Sequence, residues 1–257
     1  MRYAVAVALH KRYWLPDEPL YVPMQAGAAL HEDLGLLRDD TGDHISLRNP
    51  AFSELTAQYW LWKNCDAEVC GLCHYRRYFT VTPFGPRKTR ILTLPQAETL
   101  LQHADVIIPT PRIYLIETNY TQYIHAHHAV DLDTTRQIIA ERHQAFLAAY
   151  DRVMKRRWGR RFNMCIMRRA QFDAYSAWLF DVLFELEKRL DVSGYNEKDS
   201  RVFGYVAERL MDVWLEQTRP RMRQVRVLNL ESQHWLKKIA TFLRRRFLSD
   251  ERMNQQR

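Results

Sequence analysis

The sequence has none of the long apolar runs that membrane-spanning proteins need. A bilayer span takes about 18 or more consecutive apolar residues, and no such run occurs in these 257 residues. The N-terminal stretch MRYAVAVALHK shows no signal-peptide cleavage pattern. We therefore predict that the protein is made and kept in the cytoplasm.

Cysteine, glycine and proline are also scarce. The four cysteines do not form the two CxxC pairs of a zinc site, so we expect reduced thiols rather than metal ligands or disulfides. The chain contains no repeats or low-complexity segments. Its eight glycines, ten prolines and 47% hydrophobic residues therefore indicate one large globular domain.

Short apolar runs alternate with amphipathic helical patterns along the chain. Apolar runs typical of buried strands occur at 3–10, 104–112 and 162–169, and helical spacing occurs at 54–64, 170–190 and 199–216. This alternation predicts an α/β fold in which helices flank a central, mostly parallel sheet.

Positive charge is concentrated at the C-terminus. Residues 221–257 contain ten Lys/Arg and three Asp/Glu, a net charge of +7, which leaves +1 for residues 1–220. We therefore predict a main domain over 1–220 and a basic amphipathic tail over 221–257. Within the tail, residues 235–247 are typical of a helix lying on an anionic membrane surface. An amphipathic helix docked on the domain and a nucleic-acid patch are the alternatives.

The segment GLCHYRRYF at 71–79 carries the clearest functional pattern. An apolar run typical of a buried strand ends in His74, Arg76 and Arg77. Guanidinium groups bind phosphate through a planar fork of donors, and ligands of α/β proteins bind at strand ends. The pattern predicts a diphosphate site. The alternative is a surface turn whose arginines pair with nearby carboxylates.

Two other polar clusters contain residue types that can bind metal ions. Asp39, Asp40 and Asp43 surround Gly42, but the closing Glu of a calcium loop is missing, so we predict a solvated turn. The segment HAHHAVDLD at 125–133 offers histidine and aspartate ligands without the HExxH order. We expect this cluster to hold substrate or structure rather than a metal.

Two carboxylates lie at the start of the helix predicted over 199–216. Glu197 and Asp199 are placed where the helix dipole stabilises a negative charge, and either could act as a general base if it faced a pocket. A capping role for Asp199 or Ser200 explains the same pattern. Glu208, within the helix, is interpreted as an ion-paired or supporting residue.

Together these segments resemble a known family. In order, the resemblance rests on His10–Lys11, VPMQAG, DDTGDHISLRN, ELTAQYWLWKN, GLCHYRRYF, FNMCIMRR and RVFGYVAERLMDVW. They resemble the bacterial capsule and O-antigen glycosyltransferases long filed as a domain of unknown function, some of which are galactofuranosyltransferases. The resemblance covers residues 3–216. It implies a GT-A-like fold, a single domain that binds a nucleotide sugar and transfers the sugar to a glycan.

The resemblance also implies a donor site. Most GT-A folds hold a divalent metal with an Asp-x-Asp motif, whereas this chain has His74-Tyr75-Arg76-Arg77 at the corresponding place. Two arginines can neutralise a leaving diphosphate, so we expect no cofactor, although the aspartates at 39–43 leave manganese or magnesium open. The donor-site candidates are His10, Lys11, Glu54, His74, Arg76 and Arg77.

The remaining expectations concern mechanism and partners. Inverting transfer needs one base, for which Asp199 is preferred to Glu197 and Glu208, with Asn163 and Arg201 on the acceptor side. The implied donor is UDP-galactofuranose, with a pyranosyl nucleotide sugar as the alternative. The implied acceptor is a lipid-linked glycan at the inner face of the cytoplasmic membrane, where the tail would bind. A nucleic-acid-binding module is the competing class, and the nearly neutral main domain argues against it.

Overall fold

The computed structural model describes residues 2–231, which form a mixed eight-stranded sheet covered by helices and a small two-stranded sheet of Arg112–Ile113 and Trp158–Gly159. The strands are β1 (Tyr3–Leu9), β2 (Tyr21–Gln25), β3 (Leu37–Arg38), β4 (Val69–His74), β5 (Arg77–Thr80), β6 (Val106–Pro109), β7 (Arg112–Ile113), β8 (Trp158–Gly159), β9 (Cys165–Arg168) and β10 (Met222–Asn229). The helices are α1 (Asn49–Phe52), α2 (Leu55–Asn64), α3 (Leu94–Leu101), α4 (Asn119–Ile124), α5 (Ala129–Arg142), α6 (Gln144–Lys155), α7 (Arg169–Arg189) and α8 (Val202–Thr218). Short 3₁₀ turns lie at Ala28–Leu30, Ser46–Arg48, Arg87–Thr89 and Asp199–Arg201.

The main sheet has the strand order β3-β2-β1-β4-β5-β10-β6-β9, and β9 also pairs with β4. Strands β1 to β4 pair in parallel, as do β6 and β10, whereas β5 and β9 are antiparallel to their neighbours. Only Tyr75 and Arg76 connect β4 to β5, and so short a connection reverses the chain. The predicted α/β class, with helices flanking a central sheet, is confirmed, and the sheet is mixed.

The apolar runs form strands because both faces of the sheet are covered. In β1, Ala4, Ala6 and Ala8 belong to one hydrophobic cluster, and the alternate residues Val5 and Val7 belong to the other. Helices α2, α7 and α8 cover the first face, and α3 covers the second. The strands and helices predicted from periodicity are thus present. None of the helices within residues 2–231 is both long and apolar enough to cross a membrane.

The domain boundary predicted at residue 220 needs correction. Strand β10 lies inside the sheet between β5 and β6, and its Val225 and Leu228 are buried in the core. Its arginines Arg223 and Arg226 are exposed, which is why the segment counted as part of a basic tail. Residues 222–229 therefore belong to the domain. The rest of the predicted tail, including the helix expected at 235–247, lies outside the described residues.

The aspartate cluster at 39–43 holds the loops beside β2 and β3 together. Asp39 is fully buried and accepts hydrogen bonds from the Gly27 and Ala28 N–H groups at 2.8 and 3.0 Å and from Ser46 Oγ at 2.5 Å. The other two aspartates bind side chains of the same region. A buried carboxylate with three donors is a structural group. The prediction that this turn is solvated is therefore wrong for Asp39, whose side chain is buried.

Candidate active site

A cavity of about 450 Å³ opens where β4 turns into β5. Strands β1 and β4 run in parallel and both end here, with Ala8 opposite His74. The other walls come from the start of α2, the residues before β9, the turn after α4 and the N-terminal half of α8. The carboxyl edge of parallel strands is the usual ligand site in open α/β sheets.

The β4–β5 turn forms one wall of the cavity. His74, Tyr75, Arg76 and Arg77 all line it. The guanidinium carbon of Arg76 lies 5.0 Å from the ring centre of Tyr75, and that of Arg77 lies 4.4 Å from the ring centre of Phe162. The aromatic faces thus fix the two guanidinium groups at the cavity wall.

Several arginines in the cavity have buried nitrogen atoms without a protein acceptor. Within residues 2–231, the Nε atoms of Arg76, Arg77, Arg161 and Arg209 are buried and have no hydrogen-bond partner. Buried donors without partners are rare in proteins and need an explanation. Burial, followed by the nearby Arg76, lowers the pKa of Arg77, because both disfavour a positive charge at this position. An anionic ligand in the cavity would compensate the positive charge of these guanidinium groups.

The balance of charge in the cavity is positive. Six lysine or arginine side chains and two glutamates line it within the described chain. Arg76 has an ion pair, at 3.3 Å to the half-exposed Glu231, whereas Arg77 and Arg161 have no ion pair in residues 2–231. The alternative was a surface turn whose arginines pair with carboxylates. Arg76 has such a partner in Glu231, whereas Arg77 has none in residues 2–231.

A strained turn closes the cavity on the side of β9. Phe162 and Asn163 have φ values of +84° and +47°, which non-glycine residues rarely adopt. His74 Nε2 donates to the Phe162 carbonyl at 2.6 Å, and Glu208 accepts the Phe162 N–H at 2.9 Å. The Asn163 amide donates to Glu54 Oε1 at 2.8 Å. Four predicted site residues thus meet at one turn, and they hold it in this conformation.

The three candidate bases occupy different places. Glu208 lines the cavity, but its carboxylate is bonded to the Phe162 N–H and to Arg209 Nη1 at 2.8 Å. Glu197 lines a smaller adjoining cavity of about 270 Å³. Asp199 is not among the lining residues, because its side chain lies behind a histidine from the turn after α4.

That histidine is His127, which lines the cavity. Asp199 Oδ1 bonds His127 Nδ1 at 2.8 Å, and Asp199 Oδ2 accepts from Asn196 Nδ2 at 2.6 Å. Neither the 3₁₀ turn beginning at Asp199 nor helix α8 has a side-chain cap, so the alternative of a capping role for Asp199 or Ser200 is wrong. The pairing was missed because 72 residues separate its partners.

The histidine cluster at 125–133 is split between three environments. His125 binds Glu117 at the surface, His127 faces the cavity, and His128 stacks on Tyr195 with ring centres 4.2 Å apart. Within the described residues, no group of three His, Cys, Asp or Glu could hold a metal ion.

The remaining predicted residues lie around the same cavity. His10 and Lys11 contact Tyr75, with the ring centres of His10 and Tyr75 5.5 Å apart, and do not line the cavity themselves. Burial and then Lys11 and Arg76 lower the pKa of His10. Arg201 lines both cavities and donates from Nε to Ser53 Oγ at 3.0 Å.

The fold and the cavity define a mixed α/β protein with a cationic site at the ends of its parallel strands. The family model of a domain of unknown function, DUF4422, matches residues 4–219, so the chain belongs to that family. None of the curated proteins matches the chain. The resemblance to a family filed as a domain of unknown function is confirmed at this level.

A solved structure shares the fold. The apo structure of the WbbM bifunctional glycosyltransferase matches with a TM-score of 0.85 and 24% identity, covering 90% of this chain and 46% of that chain. The present chain thus spans about half the length of that protein. The predicted fold class is confirmed, since the described residues have the fold found in that glycosyltransferase.

Proposed function

We propose that the protein is a glycosyltransferase that moves a sugar from a nucleoside diphosphate donor to a glycan acceptor. The observation that carries the proposal is the excess of positive charge in the cavity, which six Lys/Arg and two glutamates line and in which Arg77 and Arg161 have no ion pair within residues 2–231. A diphosphate offers several anionic oxygens in the geometry that guanidinium groups bind best. Family membership and the fold shared with WbbM favour sugar transfer over other uses of such a site.

The proposed donor is UDP-galactofuranose, and the proposed reaction inverts the configuration of the sugar. This choice rests on the resemblance to galactofuranosyltransferases of capsule and O-antigen synthesis. A pyranosyl nucleotide sugar is the alternative donor. The smaller cavity, which shares Ser53, Glu54 and Arg201 with the main one, offers a place for the acceptor glycan.

We propose that Arg76 and Arg77 stabilise the leaving diphosphate without a metal ion. The two glutamates in the cavity already accept hydrogen bonds from protein groups, and the surrounding cations disfavour a divalent ion. Guanidinium groups fixed on aromatic faces can stabilise charge as the glycosidic bond breaks.

The proposed acceptor is a lipid-linked glycan, and we expect no nucleic-acid partner. Such an acceptor would place the enzyme at the inner face of the cytoplasmic membrane. Residues 235–247, with five Lys/Arg among apolar residues, have the composition of a peripheral membrane anchor.

The test is calorimetry of the purified protein with UDP, GDP and dTDP, each in EDTA and in manganese. We expect UDP to bind in EDTA. Binding that requires manganese would overturn the metal-independent mechanism, and the absence of binding by all three would overturn the proposed activity. UDP release from UDP-galactofuranose and from UDP-galactopyranose then separates the two donors.

A further inference from the structure

His127 and Asp199 form a hydrogen-bonded pair at the wall of the cavity. The His127 side chain is only 9% exposed; it stacks on Tyr205, with ring centres 4.2 Å apart, and it contacts Tyr123 at a tilted angle, with ring centres 4.9 Å apart. Asp199 fixes its Nδ1 at 2.8 Å. Two aromatic contacts and the hydrogen bond at Nδ1 thus fix the orientation of the ring.

The contacts also determine which nitrogen of His127 is free. The hydrogen bond from His127 lowers the pKa of Asp199, so that side chain is an ionised carboxylate, which accepts hydrogen bonds but donates none. Nδ1 must therefore carry a hydrogen. In the neutral ring, Nε2 then has a lone pair, and within residues 2–231 it has no hydrogen-bond partner.

The surroundings favour the neutral ring. Burial is the main cause that lowers the pKa of His127, and the positive charges of Lys198 and Arg209 lower it further. The Asp199 carboxylate acts in the opposite direction. The other groups packed on the ring, Tyr123 and Tyr205, are phenols that are uncharged near neutral pH, and burial raises their pKa values further.

The carboxylates that face the cavity are less suited to accept a proton. Glu208 is bonded to Arg209 and to a backbone N–H, and Glu54 is bonded to the Asn163 amide. Both hold the strained turn at 162–163 in place. His127 lines the cavity, and within residues 2–231 its Nε2 makes no hydrogen bond that maintains the fold.

We propose that His127 is the catalytic base of the transfer reaction and that Asp199 is the residue that positions it. This inference rests on the proposed function. As the acceptor oxygen bonds to the anomeric carbon of the donor, its O–H proton passes to Nε2. The bond from that carbon to the diphosphate oxygen breaks, and its electron pair leaves on the nucleoside diphosphate. The imidazolium then returns the proton to water.

The test compares His127→Asn and His127→Gln with the wild-type enzyme. The kcat is measured as UDP release from UDP-galactofuranose with an alkyl galactoside acceptor. Loss of a general base lowers a rate by about 100-fold or more, so we expect such a fall in kcat. UDP affinity, measured by calorimetry, should be unchanged. His128→Asn is the matched control, because His128 lies 3.6 Å from Asp199 but does not line the cavity.

Asp199→Asn tests whether Asp199 positions His127, because it should change the pH dependence of kcat, which a purely structural role of Asp199 would leave unchanged. Without the carboxylate the imidazolium loses its stabilising partner, so the acid limb of the kcat–pH profile should move to lower pH. NMR titration of ¹⁵N-labelled histidine should show the same shift for His127 even if the rate is low. Wild-type kcat in both His127 variants, with UDP release intact, would overturn the base assignment alone. Wild-type protein that neither binds UDP nor releases it would overturn the proposed function.

Discussion

The core and the cavity use arginine in opposite ways, and two consecutive residues show the contrast. Arg160 is 5% exposed, and its guanidinium group binds Asp212 and the Pro109 carbonyl. Arg161 lines the cavity, lies over the ring of Tyr114, and has a buried Nε without a partner within residues 2–231. The first arginine stabilises the fold, and the second is placed for a ligand.

The same contrast separates the helical surface from the cavity. On α5 to α7, the exposed arginines have carboxylate partners, such as Arg136 with Asp151 and Arg142 with Asp181. In the cavity, Arg77 has no such partner in the described residues. A count of charges would treat these arginines alike. Their contacts separate structural cations from cations available for binding.

Asp212→Asn should cause the largest loss of stability. Removing one partner of a buried ion pair leaves an uncompensated charge and costs about 3–5 kcal/mol. Asp212 is 1% exposed and also accepts the Arg160 N–H at 2.8 Å. Urea denaturation followed by circular dichroism measures the change in the free energy of unfolding. A change below about 1 kcal/mol would mean that the pair is not structural.

Arg161→Ala and Arg77→Ala should show the reverse pattern. Each removes a half-buried side chain whose buried Nε has no partner and which has no ion pair in residues 2–231, so the free energy of unfolding should not fall. Hydrogen bonds to charged groups are worth about 1.5–3 kcal/mol, so UDP affinity should fall about 10- to 100-fold. Arg136→Ala, on the surface, is the control with wild-type affinity. If UDP affinity is unchanged in both variants, these arginines do not bind the diphosphate.

Much of the fold follows from local patterns in the sequence. The apolar runs and helical periodicities predicted β1, β4, β6, β9, α2, α7 and α8, because burial on both faces of a sheet leaves a direct imprint. The same apolar pattern predicted that His74, Arg76 and Arg77 follow the end of a buried strand, and these residues line the cavity. Strand β10 was missed because its exposed arginines outweigh its two buried apolar residues.

Strand direction explains why Arg161 was not predicted as a site residue. In a parallel sheet, the residues after β9 would lie beside the end of β4. The strands are antiparallel, with Leu72 opposite Cys165, so the residues before β9 lie there instead. The His127–Asp199 pair was missed for a related reason. It depends on contact between the turn after α4 and the 3₁₀ turn before α8, which spacing along the chain does not encode.

The smallest effect is expected on the helical surface, at the pair formed by Arg136 and Asp151. A double-mutant cycle with alanine at both positions should give a coupling of about 0.5 kcal/mol, which salt reduces. The hydrogen bond from Arg136 lowers the pKa of Asp151 from its usual 3.8. The contribution is therefore present above that value and is lost as the pH falls through the folded-state pKa. Urea titrations at neutral and acidic pH measure it. A coupling of about 3 kcal/mol or more, which is the loss of stability expected for Asp212→Asn, would mean that surface and core arginines do not differ in this way.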